Sequence, residues 1–517
     1  MATQQRSRAD TATNGTPLVE RALAVVSPSW AAARGEARLR AARAWHTEQQ
    51  LRNYDGAAIS RRTQGWVSPT GSGSAMVSTA LDRLRARSRE LARNNEWMSK
   101  GLAVIEDDVV GTGFAVKFTH KDQAVADRAA AKWAEWADTL QIDADGLADF
   151  SGLLSLAVRG MAEGGDVVLR RRWRKADDGL AVPLQIQLLE GDHIDAQRDG
   201  IDTGGNRTVQ GVAHNLLGQR SGYWLFREHP GDNWRATSES VLVPAAEVLH
   251  LFREDRKGQV RGVPWGAPCL LRLRDLAEWE DATLLHAKLA NMYVGVVRMP
   301  NQVAPFNALG DDGKPMEQVE EWKPGQVQYL NPGEELTFTE PPPPAATHSD
   351  YLRVGLLAVA AGLQIPYEAL TGDLRNTSFS SGRLGWLQWQ RRIEAYRWRI
   401  LVPRVCQPIA RWFLEALAVT DPRFREVVTE WNPPHREMID PTQEVAAFER
   451  AIRAGLTTRR EVVRSLGRDP AEVLRETAAD NQAAREAGVM WSTDPGNDLG
   501  RKPAGEPGRK PGQAANN

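Results

Sequence analysis

The sequence predicts a mixed α/β chain, of the α+β type, that folds as several structural units. Its 517 residues exceed the size that a single hydrophobic core ordinarily organises. Apolar residues recur at helical spacing toward both ends of the chain, whereas residues 166–250 contain short apolar runs separated by turn residues. Hydrophobic residues make up 42% of the chain and charged residues 25%, which is typical of a globular protein with a buried core.

The N-terminal half begins with helices and continues with strands. Helical spacing predicts helices over residues 28–46, 76–94, 122–140 and 147–163, and one more from residue 97 to a glycine turn at 111–113. Short strands are expected over residues 114–118, 167–169, 184–188, 223–226 and 241–243. This part of the chain therefore predicts helices packed on antiparallel β structure.

One predicted helix is rich in arginine. Along residues 76–94 the basic side chains are Arg83, Arg85, Arg87, Arg89 and Arg93. A stripe that faces DNA is one interpretation. We favour a solvated or intersubunit helix face, because charge runs on helices usually face solvent.

The longest proline-free helix is predicted over residues 266–292, where leucines recur at helical spacing. At 1.5 Å per residue it would be about 40 Å long. A segment punctuated by proline and glycine, with β character, follows over residues 294–340, and a second helix is expected over residues 348–363. Two helices that flank a compact insert predict a stalk that carries a head.

The C-terminal part begins with a polar loop over residues 372–382. The helix predicted after it, over residues 384–417, contains Pro403 and Pro408, which must kink or break it. A three-helix cassette follows, and its helices are predicted to start at Asp440, at a capping box of Thr458 and Glu461, and at Asp469. The last residues, rich in glycine, proline, lysine and arginine, are expected to be disordered.

Charge and cysteine content narrow the possible functions. The 65 basic and 66 acidic side chains give a formal charge of −1, which argues against a tight nonspecific DNA clamp. Cys269 and Cys406 lie in apolar, helix-like segments and are expected to be buried thiols in a reducing cytoplasm. The sequence contains no apolar run of signal-peptide or membrane-span length, so we expect a soluble protein with no membrane partner.

Motifs for catalysis are missing from the sequence. It contains no phosphate-binding loop of the G-x-x-x-x-G-K-[ST] type, no H-E-x-x-H and no paired C-x-x-C, so we expect no cofactor and no metal. Two groups of acidic residues could serve a metal-dependent nuclease. The first is Glu190, Asp192, His193 and Asp195, and the second is Glu106, Asp107 and Asp108. We favour a strand end with its turn for the first group and a solvated helix face for the second.

Several blocks of sequence, in order along the chain, resemble the lambda-like family of bacteriophage portal proteins. They are RARSRELARNN from Arg85, VVGTG from Val109, EGGDV from Glu163, GVPW from Gly262, NTSFSSGR from Asn376 and AGLTTRREVVRSLGRDP from Ala454. Together they span roughly residues 30–490. None of these blocks is diagnostic alone, and the resemblance rests on their order.

The resemblance implies a portal fold that assembles into a ring of about a dozen subunits, closed by heterologous contacts. Its parts, by position, would be a flexible N-terminus (1–29), a wing (30–262), a first stem helix (263–293), a clip insert (294–345), a second stem helix (346–371), a tunnel loop (372–383), a long helix that returns to the wing (384–438), a helical crown (439–490) and a disordered tail (491–517).

The function implied is that of a head–tail connector vertex protein, a structural protein and not an enzyme. The ring would pass double-stranded DNA into the capsid and later out of it, without reading sequence. Its partners would be further copies of itself, the terminase large subunit, the major capsid and scaffold proteins and the head–tail connector proteins. It would reside at the portal vertex of the virion, and in the host cytoplasm during assembly.

Two sets of residues are the expected DNA contacts. The tunnel loop would offer Arg375, Asn376, Thr377, Ser378, Ser380, Ser381 and Arg383. The stem would offer Arg272, Arg274 and Lys288. The alternatives are a metal-dependent nuclease that uses the acidic groups above, or another phage assembly module such as a scaffold or adaptor.

Overall fold

The computed structural model describes residues 27–51, 61, 64–65, 70–232, 239–290, 295–298, 335–338, 348–375, 377–434, 438, 440–489 and 491. The chain divides into two units, Met1–Gly71 and Ser72–Asn517. In the first unit, helix α1 (Pro28–Leu51) runs five residues beyond its predicted end and carries an Arg40–Glu36 ion pair at 3.2 Å.

The second unit contains both helices and strands, which confirms the mixed fold class. Its helices are α2 (Gly73–Ser78), α3 (Leu81–Asn94), α4 (Glu96–Val110), α5 (Gln123–Ala137), α6 (Phe150–Gly164), α7 (Leu270–Ala290), α8 (His348–Leu363), α9 (Tyr367–Thr371), α10 (Phe379–Tyr396), α11 (Gln407–Leu417), α12 (Pro441–Arg453), α13 (Arg459–Ser465) and α14 (Pro470–Glu486). Its strands are β1 (Ala115–Thr119), β2 (Asp166–Trp173), β3 (Leu184–Glu190), β4 (Gly200–Ile201), β5 (Arg207–Val209), β6 (Val212–His214), β7 (Arg220–Leu225), β8 (Val241–Pro244), β9 (Val248–Phe252), β10 (Gly295–Arg298), β11 (Glu335–Phe338) and β12 (Val428–Asn432).

The strands form small antiparallel sheets. A three-stranded sheet has the order β3-β2-β9, and a five-stranded sheet has the order β4-β5-β6-β7-β8. Strand β1 pairs with β12, in a register that joins Ala115 to Asn432 and Thr119 to Val428. This pairing joins the strand that follows α4 to the strand that follows α11.

The main core lies between helices α4, α5, α6 and α11 and the three-stranded sheet. Its centre is aromatic, because the ring of Trp133 contacts Phe150 at 5.3 Å and Phe413 at 5.1 Å, while Trp136 stacks on Phe413. The indole N–H of Trp136 donates to the carbonyl of Leu184 at 2.6 Å, so this buried polar group is satisfied. A smaller core packs the five-stranded sheet against β9.

Helix bounds agree with the predictions where periodicity is strong. Helix α8 has the predicted bounds 348–363. Helix α7 is shorter than predicted, since it begins at Leu270 after a turn and its 21 residues span about 31 Å. The helix predicted over residues 76–94 is two helices, because the backbone breaks at Thr79 and Ala80.

A π-helical segment, Arg397–Cys406, joins α10 to α11 and contains Pro403. The predicted kink or break is therefore a change of helix type. A proline ring clashes with the carbonyl four residues earlier, and a wider π turn relieves that clash. The N–H of Gln407 accordingly donates to the carbonyl of Val402, five residues back. Pro408 lies in the first turn of α11, whose backbone continues from the π-helical segment.

The C-terminal cassette has the predicted caps with one difference. The carboxylate of Asp440 accepts from the N–H of Gln443 at 3.1 Å, and the hydroxyl of Thr458 accepts from the N–H of Glu461 at 3.1 Å. The Glu461 carboxylate accepts from the Thr457 hydroxyl instead of the Thr458 N–H, so only half of the predicted capping box forms. Helices α12 and α13 contain no buried residue.

Three predicted segments lie largely outside the described residues, and the first is the flexible N-terminus, of which residues 1–26 lie outside. Of the insert over residues 294–345, strands β10 and β11 are described, and they pair antiparallel. Residues 492–517 also lie outside. None of the helices in the described residues is long and apolar enough to cross a membrane.

Candidate nucleic-acid channel and its supporting junction

Helices α7 and α8 pack against each other in antiparallel fashion. A side-chain Cβ at Gly355 would lie 2.6 Å from Leu276, and one at Gly362 would lie 2.9 Å from the Cβ of Cys269. The rings of Trp279 and Tyr351 are in contact, with centroids 4.5 Å apart. Glycine on α8 therefore allows the two helices to approach more closely than any other residue would permit.

The outer surface of this pair is both apolar and charged. Its exposed apolar side chains are Leu271, Leu284, Leu285, Val354 and Leu357. The predicted stem cations Arg272, Arg274 and Lys288 are exposed as well. Arg274 forms an ion pair with Glu278 at 2.8 Å, so part of the positive charge on this surface is cancelled locally.

The polar loop after α9 is shorter than predicted. Ser378 caps α10, because its hydroxyl accepts from the N–H of Ser381, and the helix begins at Phe379. Ser380, Ser381 and Arg383 thus lie in the first turns of α10 and not in the loop. Asn376 lies outside the described residues.

Arg375 is neutralised within its own loop. Its side chain donates to the Asp373 carboxylate at 2.9 and 3.0 Å, and its backbone N–H donates to the same group at 3.1 Å. These hydrogen bonds lower the pKa of Asp373 to about 2. Thr377 donates to Glu368 at 3.1 Å, whereas Arg383 has no ion pair within the described part of the chain.

A buried junction around Asp166 joins α3 and β2 to the segment that precedes α7. Arg85 donates to one Asp166 oxygen at 2.8 Å, Arg261 donates to the other at 2.5 Å, and the N–H of Gly262 approaches at 3.4 Å. Arg85 also donates to the carbonyl of Gly164 at 2.9 Å. Burial opposes ionisation of Asp166, but the charges of Arg261 and Arg85 outweigh it, so its pKa lies well below the usual range.

His250 completes the junction as a neutral ring. Burial lowers the pKa of His250 to about 4, even though Asp166 acts in the opposite direction. Nε2 of His250 lies 3.1 Å from Asp166, and Nδ1 lies 2.9 Å from a guanidinium nitrogen of Arg220. Since Arg220 can only donate, these partners assign the proton to Nε2.

Glycines at this junction explain two of the sequence blocks. Gly165 has a φ of +94°. A Cβ on Gly262 would lie 1.9 Å from the carbonyl oxygen of Gly165. The two backbones touch, which excludes any side chain at Gly262. The blocks that begin at Arg85, Glu163 and Gly262 are therefore parts of one buried structure.

The prediction that the arginines of α3 face solvent or a neighbouring subunit is wrong for Arg85 and Arg89. The buried face of this helix is Leu81, Arg85, Ser88 and Ala92, so Arg85 points into the protein instead of into solvent or a neighbouring subunit. Arg89 also points inward and pairs with Asp192 at 2.6 Å and with Glu190. Arg83, Arg87 and Arg93 are exposed, as the favoured interpretation expected. The missed signal was that Arg85 occupies the position of an apolar residue.

The first acidic group does not converge on one point. Arg89 bridges Glu190 and Asp192, and Arg85 approaches Asp192 at 3.3 Å. His193 lies 3.3 Å from the carbonyl of Phe226, and Asp195 accepts from Ser240 at 2.6 Å. Glu190 and Asp192 thus share Arg89, whereas His193 and Asp195 have other partners, at the strand end and short 3-10 turn that the favoured interpretation predicted.

His229, which sequence reasoning missed, lies beside this group. Among the described residues, Glu190, Asp192 and His229 bring one ligand atom each within 4.8 Å of one another. Arg89 occupies the carboxylates that a cation would need. Burial opposes ionisation of Asp192, yet Arg89 and Arg85 outweigh it and lower its pKa, so the charge is already compensated.

The second acidic group is also dispersed. Glu106 pairs with Arg159 at 3.2 Å, Asp107 is exposed, and Asp108 accepts from the indole N–H of Trp389 at 2.7 Å. Both cysteines are buried and unpaired, as predicted, and burial raises the pKa of Cys269 to about 11.

Comparison with known proteins assigns the chain to a family. The model of the phage portal protein, lambda family, matches residues 59–397. A probable portal protein of Halomonas phage phiHAP-1 is 23% identical over 87% of this chain and 93% of its own length. The portal protein of Escherichia phage N15 is 23% identical over 84% of this chain and 90% of its own length. A chain in the neck of a native GTA particle, computed with C12 symmetry, aligns with a TM-score of 0.43 and 13% identity, over 77% of this chain and 97% of its own.

The chain therefore belongs to the lambda family of phage portal proteins. Portal proteins form the channel at one capsid vertex through which double-stranded DNA is packaged and later ejected. Membership of this family confirms the DNA-channel function that the ordered sequence blocks predicted. In this family the role of the protein is structural.

Proposed function

We propose that about a dozen copies of this chain close into a ring by heterologous contacts, in which each copy offers two different surfaces to its neighbours. The observation that carries this proposal is the α7–α8 pair. The two helices pack closely because glycines on α8 leave room for side chains of α7 and of Cys269 before it. The pair nevertheless exposes Leu284, Leu285 and Val354. Apolar side chains grouped on an exposed helix pair indicate a surface that assembly covers.

Within this ring, we assign α7 and α8 to the stem and the loop after α9 to the channel wall. Arg272, Arg274 and Lys288 on the stem, and Arg375, Asn376, Thr377, Ser378, Ser380, Ser381 and Arg383 at the loop and the start of α10, would touch phosphate oxygens. The Arg375–Asp373 and Arg274–Glu278 pairs favour a weak grip, because cations that are already paired attract phosphate less strongly. A weak grip suits a channel that must let DNA slide.

Other parts of the chain would meet other partners. The insert over residues 294–345 would dock the terminase large subunit and later the head–tail connector proteins, and residues 439–490 would form a crown inside the capsid. Residues 30–262 and 384–438 would form the wing that meets capsid and scaffold proteins. The protein would reside at the portal vertex of the virion, after assembly in the host cytoplasm. Support for these assignments comes from the order of segments along the chain and from the exposed α12 and α13.

We further propose that the chain catalyses no reaction of its own. Arginine compensates the carboxylates that a nuclease would use, as described for Asp192 and Glu190. Incubation of the protein with duplex DNA and magnesium should leave the DNA intact. Cleavage that disappears when Asp192, His193 and Asp195 are changed to alanine would contradict this proposal.

Negative-stain imaging with mass measurement tests the ring directly. We expect rings with a central hole wide enough for duplex DNA, either from the purified protein or after addition of capsid or scaffold partners. A protein that stays monomeric under all of these conditions would refute the ring.

The loop assignment has its own test. Replacing residues 373–377 by a glycine-serine linker keeps the Ser378 cap of α10, so rings should still form. DNA packaging or retention should fall in a particle assembly assay. Normal packaging by such rings would remove the loop from the channel wall.

A further inference from the structure

An arginine ladder lies on one face of strand β2, away from the α7–α8 pair and the loop. Side chains alternate along a strand, so Arg170, Arg172 and Arg174 point to one side, and Arg171 and Trp173 point to the other. On the other side, Arg171 pairs with Glu415 at 2.9 Å. The ladder continues past the end of β2, because the N–H of Arg174 donates to the carbonyl of Pro183 at 3.0 Å.

The three arginines of the ladder lack acidic partners. In the residues that the structure describes, no carboxylate lies within ion-pair distance of any of them. Arg174 donates to the neutral amide of Gln185 at 2.7 Å. The Nε of Arg170 is buried and has no hydrogen-bond partner among the described residues.

This arrangement places uncompensated charge at a half-buried surface. Burial and the neighbouring charge of Arg172 lower the pKa of Arg170, and Glu247 opposes them only in part. Like charges two residues apart on one strand face repel each other. An anion at this face would relieve the repulsion and supply the missing hydrogen-bond acceptors.

The neighbours of the ladder indicate which anion fits. Gln187 pairs in register with Arg170, and Gln185 pairs with Arg172. Strand β9 begins at the buried Val248 opposite Arg170, directly after Glu247, so beyond Arg170 the face is lined mainly by guanidinium and amide groups. Protein interfaces usually add an aromatic or aliphatic anchor at their centre, and this face offers none.

The ladder is long enough to meet more than one phosphate of a polyanion. Successive arginines on one face are about 6.6 Å apart, and the three span about 13 Å. One strand of B-DNA carries a phosphate every 3.4 Å of helix axis, so about four phosphates face the same length. Arginine donates to phosphate oxygens without reading bases, and the amide of Gln187 can do the same, whereas the amide nitrogen of Gln185 already donates to the carbonyls of Gln141 and Asp143.

We propose that Arg170, Arg172 and Arg174 form a second, sequence-independent DNA-backbone site outside the channel. The choice of DNA over other polyanions rests on the proposed portal function, under which this protein meets DNA. A site of this kind would hold duplex against the three-stranded sheet, and it would act whether or not the channel is occupied.

A covalently closed duplex circle separates this site from the channel, because a closed circle cannot thread a closed ring. Affinity of the full-length protein for a labelled circle would be measured across a series of salt concentrations. The test variant is R170Q/R172Q/R174Q, which keeps polar side chains of similar length. The matched control is R459Q/R460Q/R464Q, which removes three exposed arginines from α13.

Each lost phosphate contact lowers the slope of log affinity against log salt by about 0.9, so the test variant should lose about 2.7. Its affinity at low salt should fall by more than about tenfold, whereas the control should behave as the wild type. R170K/R172K/R174K should restore most of the slope, since lysine keeps the charge. Thermal melting should show the glutamine variant to be as stable as the wild type or more stable, because a repulsion is removed.

Three results would overturn the site. They are a wild-type protein without measurable affinity for the circle at low salt, equal losses in test and control variants, and a test variant that binds the circle normally but loses binding to polyglutamate. The last result would mean that the ladder serves an acidic protein segment. Imaging of the same samples keeps the two proposals separate, because rings can form whatever the circle does, and missing rings would refute only the portal assembly.

Discussion

The Asp166 junction makes the strongest prediction about stability. Asp166 is fully buried and holds two guanidinium groups, Arg85 and Arg261, which are themselves buried. The change D166N keeps the size of the side chain and removes its charge. Arg261 then loses the carboxylate that it binds, and Arg85 keeps only its longer contact to Asp192 at 3.3 Å, in an environment that water does not reach. Removing one partner of a buried ion pair typically costs about 3–5 kcal/mol. Two arginines share this carboxylate, so we expect a loss at the upper part of that range, about 4–5 kcal/mol.

Urea unfolding followed by tryptophan fluorescence and circular dichroism measures this loss. The unfolding midpoint should move to lower urea by about 4–5 kcal/mol divided by the slope of the transition. E415Q is the matched control, because it breaks the half-exposed Arg171–Glu415 pair and should cost less than about 1 kcal/mol.

A rescue variant tests the cause of the loss. D166N/R85M/R261M also removes the two guanidinium groups that Asp166 held, and it should recover most of the stability that D166N loses. If D166N lies within about 1 kcal/mol of the wild type, or if the triple variant is no better than D166N, the electrostatic account of this junction is wrong.

Further predictions follow from neighbouring residues. G262A should give insoluble or strongly destabilised protein in a yield and melting assay, because its Cβ would lie 1.9 Å from the carbonyl oxygen of Gly165, whereas G385A on α10 meets nothing within 4 Å and should be tolerated. His250 binds its proton with a pKa of about 4 when folded and 6.5 when unfolded, so the stability that it contributes is complete above pH 6.5 and falls by about 3 kcal/mol as the pH drops to 4. Urea unfolding at a series of pH values checks this, and H250Q should flatten the curve. G355L should separate α7 from α8 and abolish rings in negative-stain images, and normal rings would show that this close approach is not needed.

Much of the secondary structure could be predicted because it depends on local signals. The apolar spacing of α8 and the caps at Asp440 and Asp469 involve residues within one or two helical turns, so periodicity and capping rules locate them. The polar loop was predicted too long because its local signal is ambiguous. Ser378 can belong to a loop or cap a helix, and the sequence around it favours neither.

The junction could not be predicted, because its members are far apart in the chain. Arg85 and Asp166 are 81 residues apart, and nothing local to either residue identifies the other. Two local signals were present all the same. Arg85 stands on the apolar face of its helix, and Asp166 opens an apolar strand directly after two glycines. An ionisable residue at a position that should be apolar predicts a buried partner of opposite charge.

Net charge alone misrepresents how this protein uses its arginines. A formal charge of −1 argues against tight DNA binding only if positive charge is spread evenly, and the structure shows that it is not. Arg85 and Arg261 form ion pairs with Asp166, and Arg375 forms one with Asp373, so these cations are not available to a phosphate. The ladder on β2 has no carboxylate within ion-pair distance among the described residues, and Glu247 compensates Arg170 only in part. A chain that is neutral overall can therefore pair its loop arginine, where DNA should slide, and still offer unpaired arginines at another surface, where DNA should be held.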